Sequence, residues 1–175
     1  MNGLLEDLHW GESGVPRFEA GMCDLGAYLG FGSQRPEEDM GRGPDNLWAL
    51  GGLQYLGIEC KSGAVKAKKI SKSDTNQLNG SIVWFRAEYD ATCSATPILV
   101  HLKTEFENAA SPDPAIRIIN AEGLEKLRAA LKAYTVALAS SGTFRDAREV
   151  ERQLVHHGLA ANALVNLCTV KQSPR

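Results

Sequence analysis

Hydrophobic and polar positions follow a strand-like pattern in the middle of the chain and a helix-like pattern on either side of it. The strings LWALGG and LQYLGIECK predict two apolar strands, and the glycine-rich turn between them predicts a β-hairpin. The strings TPILVHL and AIRII predict two further strands, separated by the polar, proline-containing loop TEFENAASPDP. The pattern therefore predicts a fold of the α/β class.

Apolar residues spaced three and four positions apart predict helices before and after these strands. The first helix ends at Gly30, the second begins at a capping serine, Ser71 or Ser73, and the third ends at Gly142. The strings FRDAREVERQLVHHG and LAANALVNLC predict two C-terminal helices that meet at Gly158. The buried stripes of the first three helices consist of Phe18, Met22, Leu25 and Leu29, of Leu78, Ile82 and Phe85, and of Leu124, Leu127, Leu131, Tyr134 and Leu138.

Length and composition favour a single domain. A chain of 175 residues, 43% of them hydrophobic, can bury one sizeable core. We expect residues 1–16 to form a lead-in or linker, residues 17–142 the core, and residues 143–170 helices appended to the same domain. The sequence has no apolar stretch that could cross a membrane and no signal peptide, which predicts a cytoplasmic protein without a membrane partner. Its four cysteines occur singly, which disfavours a zinc ribbon or a disulfide framework.

Three polar residues at the predicted hairpin form the most informative motif. Glu59 and Lys61 lie two positions apart and so share one face of a strand, whereas Cys60 points to the other face. The hairpin brings Asp45 close to Glu59, although 14 positions separate them. Two carboxylates that converge repel each other unless a hard divalent cation such as Mg²⁺ relieves the repulsion. The alternative is a cross-strand ion pair of Glu59 and Lys61, with Asp45 as a turn residue after Pro44.

The strings PD at positions 44–45 and ECK at positions 59–61 resemble the motif of the PD-(D/E)xK nuclease superfamily. Within that superfamily, residues 18–85 look most like the Mrr-like or helicase-associated nuclease domains of bacteria. The resemblance implies a restriction-endonuclease-like αβββαβ core, in which helices flank a mixed central sheet, with extra C-terminal helices here. It also implies hydrolysis of DNA phosphodiester bonds with Mg²⁺, for which Mn²⁺ could substitute.

The resemblance implies roles for individual residues. The catalytic set is Asp45, Glu59, Lys61 and Gln77, and the metal set is Asp45, Glu59, Cys60 and Glu19. Lys61 would activate the attacking water and stabilise developing negative charge, and Gln77 would orient the water or a phosphate. Gln77 is otherwise a surface glutamine, and Glu19 is equally well explained as a first-turn acid favoured by the helix dipole. Asp24 and Glu38 are weaker substitutes for Glu19.

A lysine-rich loop follows the motif. Its members are Lys66, Lys68, Lys69 and Lys72. Nucleic-acid binding gains sequence-independent affinity by neutralising phosphates, so this loop is the predicted DNA contact. A lysine-rich loop is also a common solvated element. The formal net charge of −2 argues against a large basic surface. We therefore expect any DNA contact to be confined to this loop and to be sensitive to salt.

These observations predict a Mg²⁺-dependent deoxyribonuclease, with DNA processing or restriction of phage as its setting. One alternative is a catalytically silent nuclease fold that binds nucleic acid or a protein partner. Another is a regulatory domain of an assembly whose helicase lies in a partner chain or a fused domain, and a homodimer is compatible with either. The sequence contains no GxxxxGK[ST] string, so it predicts no ATP hydrolysis by a P-loop.

Overall fold

The computed structural model describes residues 2–11, 14–63 and 68–173 and shows a mixed α/β fold built on one sheet. Its six strands, which lie side by side in sequence order, are β1 (Gly32–Gln34), β2 (Asn46–Gly51), β3 (Gln54–Cys60), β4 (Ser94–Val100), β5 (Arg117–Ile119) and β6 (Val170–Lys171). Strands β3, β4 and β5 are parallel, and the other neighbouring pairs are antiparallel. The sheet is therefore mixed, with its parallel strands adjacent.

Helices cover both faces of this sheet. They are α1 (Asn2–Asp7), α2 (Val15–Tyr28), α3 (Pro36–Met40), α4 (Lys72–Glu88), α5 (Ala121–Ser141), α6 (Ala147–His156) and α7 (Ala161–Cys168). One face packs Ile58 and Val100 into a core with α2, α5 and α7. On the opposite face, Leu99 packs against Leu78 of α4 in a smaller cluster. Because strand side chains alternate between faces, Glu59 lies on the α4 side and Cys60 on the other.

The structure confirms the longer elements that the sequence pattern predicts. Strands β2 and β3 form the hairpin, and the turn between them uses positive φ angles at Gly51, Gly52 and Leu53. Ser71 is the N-cap of α4: its hydroxyl accepts the Asp74 N–H at 3.0 Å, and the Asp74 carboxylate accepts the Ser71 N–H at 3.3 Å. This reciprocal pair satisfies two backbone donors at the start of the helix and defines where it begins.

The shorter elements depart from the sequence predictions. The sequence predicts a lead-in over residues 1–16, whereas Asn2–Asp7 form α1, which packs on α2, and Leu8 is fully buried. Strand β1, helix α3 and strand β6 have two to five residues each and are likewise absent from the predictions. Elements this short contain less than two periods of a helical or strand pattern, so only their tertiary contacts define them. Within the described ranges, no helix combines the length and apolar character needed to cross a bilayer.

Candidate metal centre

Three carboxylates converge at one end of the hairpin. Glu37 of α3, Asp45 beside β2 and Glu59 of β3 each offer one oxygen, and these three oxygens lie within 4.8 Å of one another. Two of the three side chains are shielded from solvent: Glu59 is fully buried and Asp45 is 7% exposed. Glu37 is exposed. Three oxygen donors at this spacing could hold a hard divalent cation.

The pairing of the hairpin accounts for the position of Asp45. Asn46 is opposite Ile58 in the antiparallel register, so the preceding residue, Asp45, meets the following residue, Glu59. The Cys60 backbone N–H donates to Asp45 Oδ2 at 2.6 Å and orients the carboxylate. Asp45 therefore lies in the bend immediately before β2, and the hydrogen bond from Cys60 turns its carboxylate toward Glu59.

Glu59 is the most constrained member of the cluster. The Ser81 hydroxyl on α4 donates to Glu59 Oε1 at 2.5 Å. The second oxygen, Oε2, is buried, lies 3.6 Å from Lys61 Nζ and accepts no hydrogen bond from any described residue. Burial, assisted by the negative charge of Asp45, raises the pKa of Glu59 to about 8. A buried carboxylate oxygen that accepts no hydrogen bond is costly, and a bound cation would satisfy it.

Glu37 is the functional residue that sequence reasoning missed. It enters the cluster because α3 folds back toward the start of β2, with the Glu37 N–H donating to the Pro44 carbonyl at 3.3 Å. A hydrogen bond with Asp45, followed by burial, raises the pKa of Glu37. The available signal was the acidic string PEED shortly before Asp45. Of that string, the sequence analysis named only Glu38, which instead lies 3.8 Å from Arg35.

Lys61 and Gln77 contact each other directly. Lys61 Nζ donates to Gln77 Oε1 at 2.8 Å. Lys61 directly follows β3, whereas Gln77 lies on α4. The lysine is partly buried and its side chain retains 21% exposure, so its ammonium group is held next to Glu59 and remains accessible. Ser81 lies four positions after Gln77, on the same face of α4, and this spacing could have identified it from the sequence.

Two residues of the predicted metal set line the same cavity but do not belong to the group of three converging oxygens. Glu19 is paired with Arg35, whose Nη2 is 3.2 Å from Glu19 Oε2, and it lies outside the carboxylate cluster. Burial raises the pKa of Glu19, an effect that Arg35 opposes. The Cys60 thiol is buried in the core on the opposite face of the sheet, and burial raises its pKa well above the usual range. What Cys60 contributes to the centre is its backbone N–H. Asp24 is exposed on α2.

A cavity of about 690 Å³ opens above the centre. Lys61, Gln77 and the predicted DNA contacts Lys68 and Lys69 line it, and Lys68 and Lys69 are exposed. Lys72 is exposed at the start of α4, where its backbone N–H donates to Glu107 Oε2 at 3.2 Å. Lys66 lies outside the described residues. The cavity is therefore lined by both carboxylates and ammonium groups.

Comparison with known proteins identifies no relative. No family model, no curated protein and no solved structure matches this chain. A functional assignment therefore depends on the geometry and chemistry of the carboxylate cluster and its cavity.

Proposed function

We propose that this chain is a divalent-cation-dependent nuclease that hydrolyses DNA phosphodiester bonds. The observation that carries the proposal is the convergence of Asp45, Glu59 and Glu37 around a buried carboxylate oxygen that accepts no hydrogen bond from any described residue, beside the ammonium group of Lys61, which donates to Gln77. In a structural ion-pair network, acidic and basic side chains are present in similar numbers. This cluster instead contains three acidic side chains and one lysine, Lys61. Such an imbalance is typical of a cation site.

The donor set fits Mg²⁺, with Mn²⁺ as a substitute. All three side chains offer carboxylate oxygens, which are the ligands that these hard cations prefer. Glu37, Asp45 and Glu59 would hold the cation, and the proton that Glu59 retains because its pKa is about 8 would be released. When bound, the cation supplies charge neutralisation at a phosphate and lowers the pKa of water.

The chain's own residues perform the remaining tasks. Lys61 places a positive charge at the floor of the cavity, where it stabilises negative charge that develops on a phosphate oxygen. The hydrogen bond to Gln77 Oε1 limits the positions that Lys61 Nζ can adopt, and Ser81 fixes Glu59 in the same way. Both supporting residues lie on α4, so one rigid helix orients the carboxylate and the lysine of the site.

The order of elements supports a restriction-endonuclease-like core. Helix α2, strands β1 to β3, helix α4 and strand β4 follow the αβββαβ order that the sequence resemblance implies, with the short helix α3 inserted between β1 and β2. DNA as the substrate, a role in restriction or DNA processing, and a helicase partner come from that resemblance. The exposed Lys68 and Lys69 at the cavity supply the phosphate contacts that such a substrate needs.

The test is a cleavage assay with supercoiled and linear DNA, in Mg²⁺ and in chelator. We expect cleavage in Mg²⁺ and none in chelator. Asp45→Asn should abolish cleavage and weaken Mg²⁺ binding in calorimetry, whereas Asp39→Asn, an exposed acid of α3, should match the parent. If the parent binds DNA without cutting it in Mg²⁺ or Mn²⁺, the chain is a catalytically silent module and the proposed activity is wrong.

A further inference from the structure

His101 lies directly beside the proposed site. Strands β3 and β4 pair in parallel, with Cys60 opposite Val100 as the last pair. The pairing continues one step further, because the Lys61 N–H donates to the Val100 carbonyl at 2.9 Å. Lys61 and His101 are therefore neighbours at the ends of adjacent strands, although 40 positions separate them in the sequence.

His101 shares the functional face of the sheet. Residues that pair in register on parallel strands point to the same side, so His101 lies on the α4 face with Glu59 and Lys61. From strand geometry, its Cα is about 8 Å from that of Glu59, one strand across and two residues along. The residue is 2% exposed and lines the same cavity as Lys61 and Gln77.

The hydrogen bonds of His101 leave one ring nitrogen available. The Lys103 backbone N–H, which can only donate, is 2.9 Å from His101 Nδ1, while the Lys103 carbonyl is farther away at 3.2 Å. Nδ1 therefore accepts, and the ring proton is on Nε2. Burial lowers the pKa of His101, which favours the neutral ring. Nε2–H has no hydrogen-bond partner among the described residues, and the side chain lines the cavity.

We propose that His101 contacts the substrate: its Nε2–H donates a hydrogen bond to an oxygen of the phosphate adjacent to the one being cleaved. The inference rests on the proposed nuclease function, because it assigns a further polar group of the cavity to that substrate. An uncharged donor suits this position, since Lys61 already supplies a cation one strand away. Lys68 and Lys69 contact phosphates from the exposed rim, and His101 does so from the buried wall.

Two substitutions distinguish the contribution of Nδ1 from that of Nε2. In His101→Asn, the amide oxygen replaces Nδ1 as acceptor for the Lys103 N–H, and the donor at the Nε2 position is lost. In His101→Gln, the longer side chain places an amide N–H near the Nε2 position and loses the acceptor. His156→Asn is the matched control, because His156 is exposed on α6 and is not part of the cavity wall.

The measurement is the affinity for linear duplex DNA in Ca²⁺, alongside cleavage in Mg²⁺ and melting temperature. Loss of a hydrogen bond to a charged oxygen should weaken binding by His101→Asn about 10- to 100-fold, with a melting temperature near that of the parent. His101→Gln should recover part of this loss, and His156→Asn should bind as the parent does. If His101→Asn does not fold, His101→Phe, which keeps a ring but has no donor, takes its place: weaker binding by His101→Phe than by His101→Gln supports the contact, and equal affinities of the two folded variants overturn it.

The outcomes distinguish the inference from the proposed function. Cleavage by the parent together with parental affinity of His101→Asn would overturn the His101 contact and leave the nuclease function intact. Binding without cleavage by the parent would overturn the nuclease function, and weaker binding by His101→Asn would then support His101 as a nucleic-acid contact. Absence of DNA binding by the parent would overturn both.

Discussion

Replacing Glu59 by glutamine should remove the pH dependence that the buried acid imposes on stability. The pKa of Glu59 rises from an ordinary value of 4.5 to about 8 in the folded protein. Between these pH values the folded state keeps a proton that the unfolded state loses, so the free energy of unfolding falls as pH rises. The contribution of Glu59 to stability is thus fully present below pH 4.5 and lost as the pH rises through about 8.

The magnitude follows from this shift. One proton changes the free energy of unfolding by up to about 1.4 kcal/mol per pH unit, so ionisable Glu59 costs at most about 3 kcal/mol at pH 7. The glutamine side chain in Glu59→Gln would have the same shape, would accept from Ser81 through its amide oxygen, and would not ionise. In chelator at pH 8, we therefore expect Glu59→Gln to be more stable than the parent although it is inactive.

The assay is urea unfolding at several pH values from 5 to 8.5 in chelator, with Glu151→Gln on α6 as an exposed control. The difference between parent and Glu59→Gln reports Glu59 together with its interactions with Asp45, Glu37 and Lys61, because ionisable side chains away from this cluster contribute equally to both. Mg²⁺ should then stabilise the parent by mass action and leave Glu59→Gln nearly unchanged. Parallel pH curves for the parent and Glu59→Gln would refute both the raised pKa and its origin in burial.

Three further substitutions test the supporting residues. Lys61→Ala should abolish cleavage with little change in melting temperature, because the partly buried lysine acts on the substrate and not in the core; a parental rate would remove it from the mechanism. Ser81→Ala removes the hydrogen bond that opposes the rise in the pKa of Glu59. On a plot of cleavage rate against pH, the rise in rate on the acid side should therefore move to higher pH by a measurable fraction of a unit. An unchanged acid side of this plot would show that Ser81 has only a packing role. Replacing Lys68 and Lys69 together by Ala should reduce the slope of log affinity against log salt by about 2 for duplex DNA; parallel binding lines for parent and variant would eliminate this rim as the phosphate contact.

The sequence by itself determined the local half of the candidate site. Period-two alternation places Glu59 and Lys61 on one strand face, and the glycine turn of the hairpin brings Asp45 close to Glu59. Helical periodicity predicts the buried stripe of α4, and therefore the face on which Gln77 lies relative to Leu78 and Ile82. These relations depend on residues a few positions apart or on a short hairpin. The sequence did not predict the bulge between Ala49 and Gly51, which shifts the hairpin register by one residue and places Asp45 opposite Glu59.

Only the tertiary structure decided which residues join that local motif. The choice of Glu37 over Glu19 depends on the path of the chain between α2 and β2, where a short helix without its own periodicity folds back on Pro44. The position of His101 depends on the parallel register of β3 and β4, strands connected by a long crossover through α4. Sequence periodicity assigns a residue to a face of its own element. The register between distant elements is set by how their buried faces pack together, and that information is distributed over the whole core.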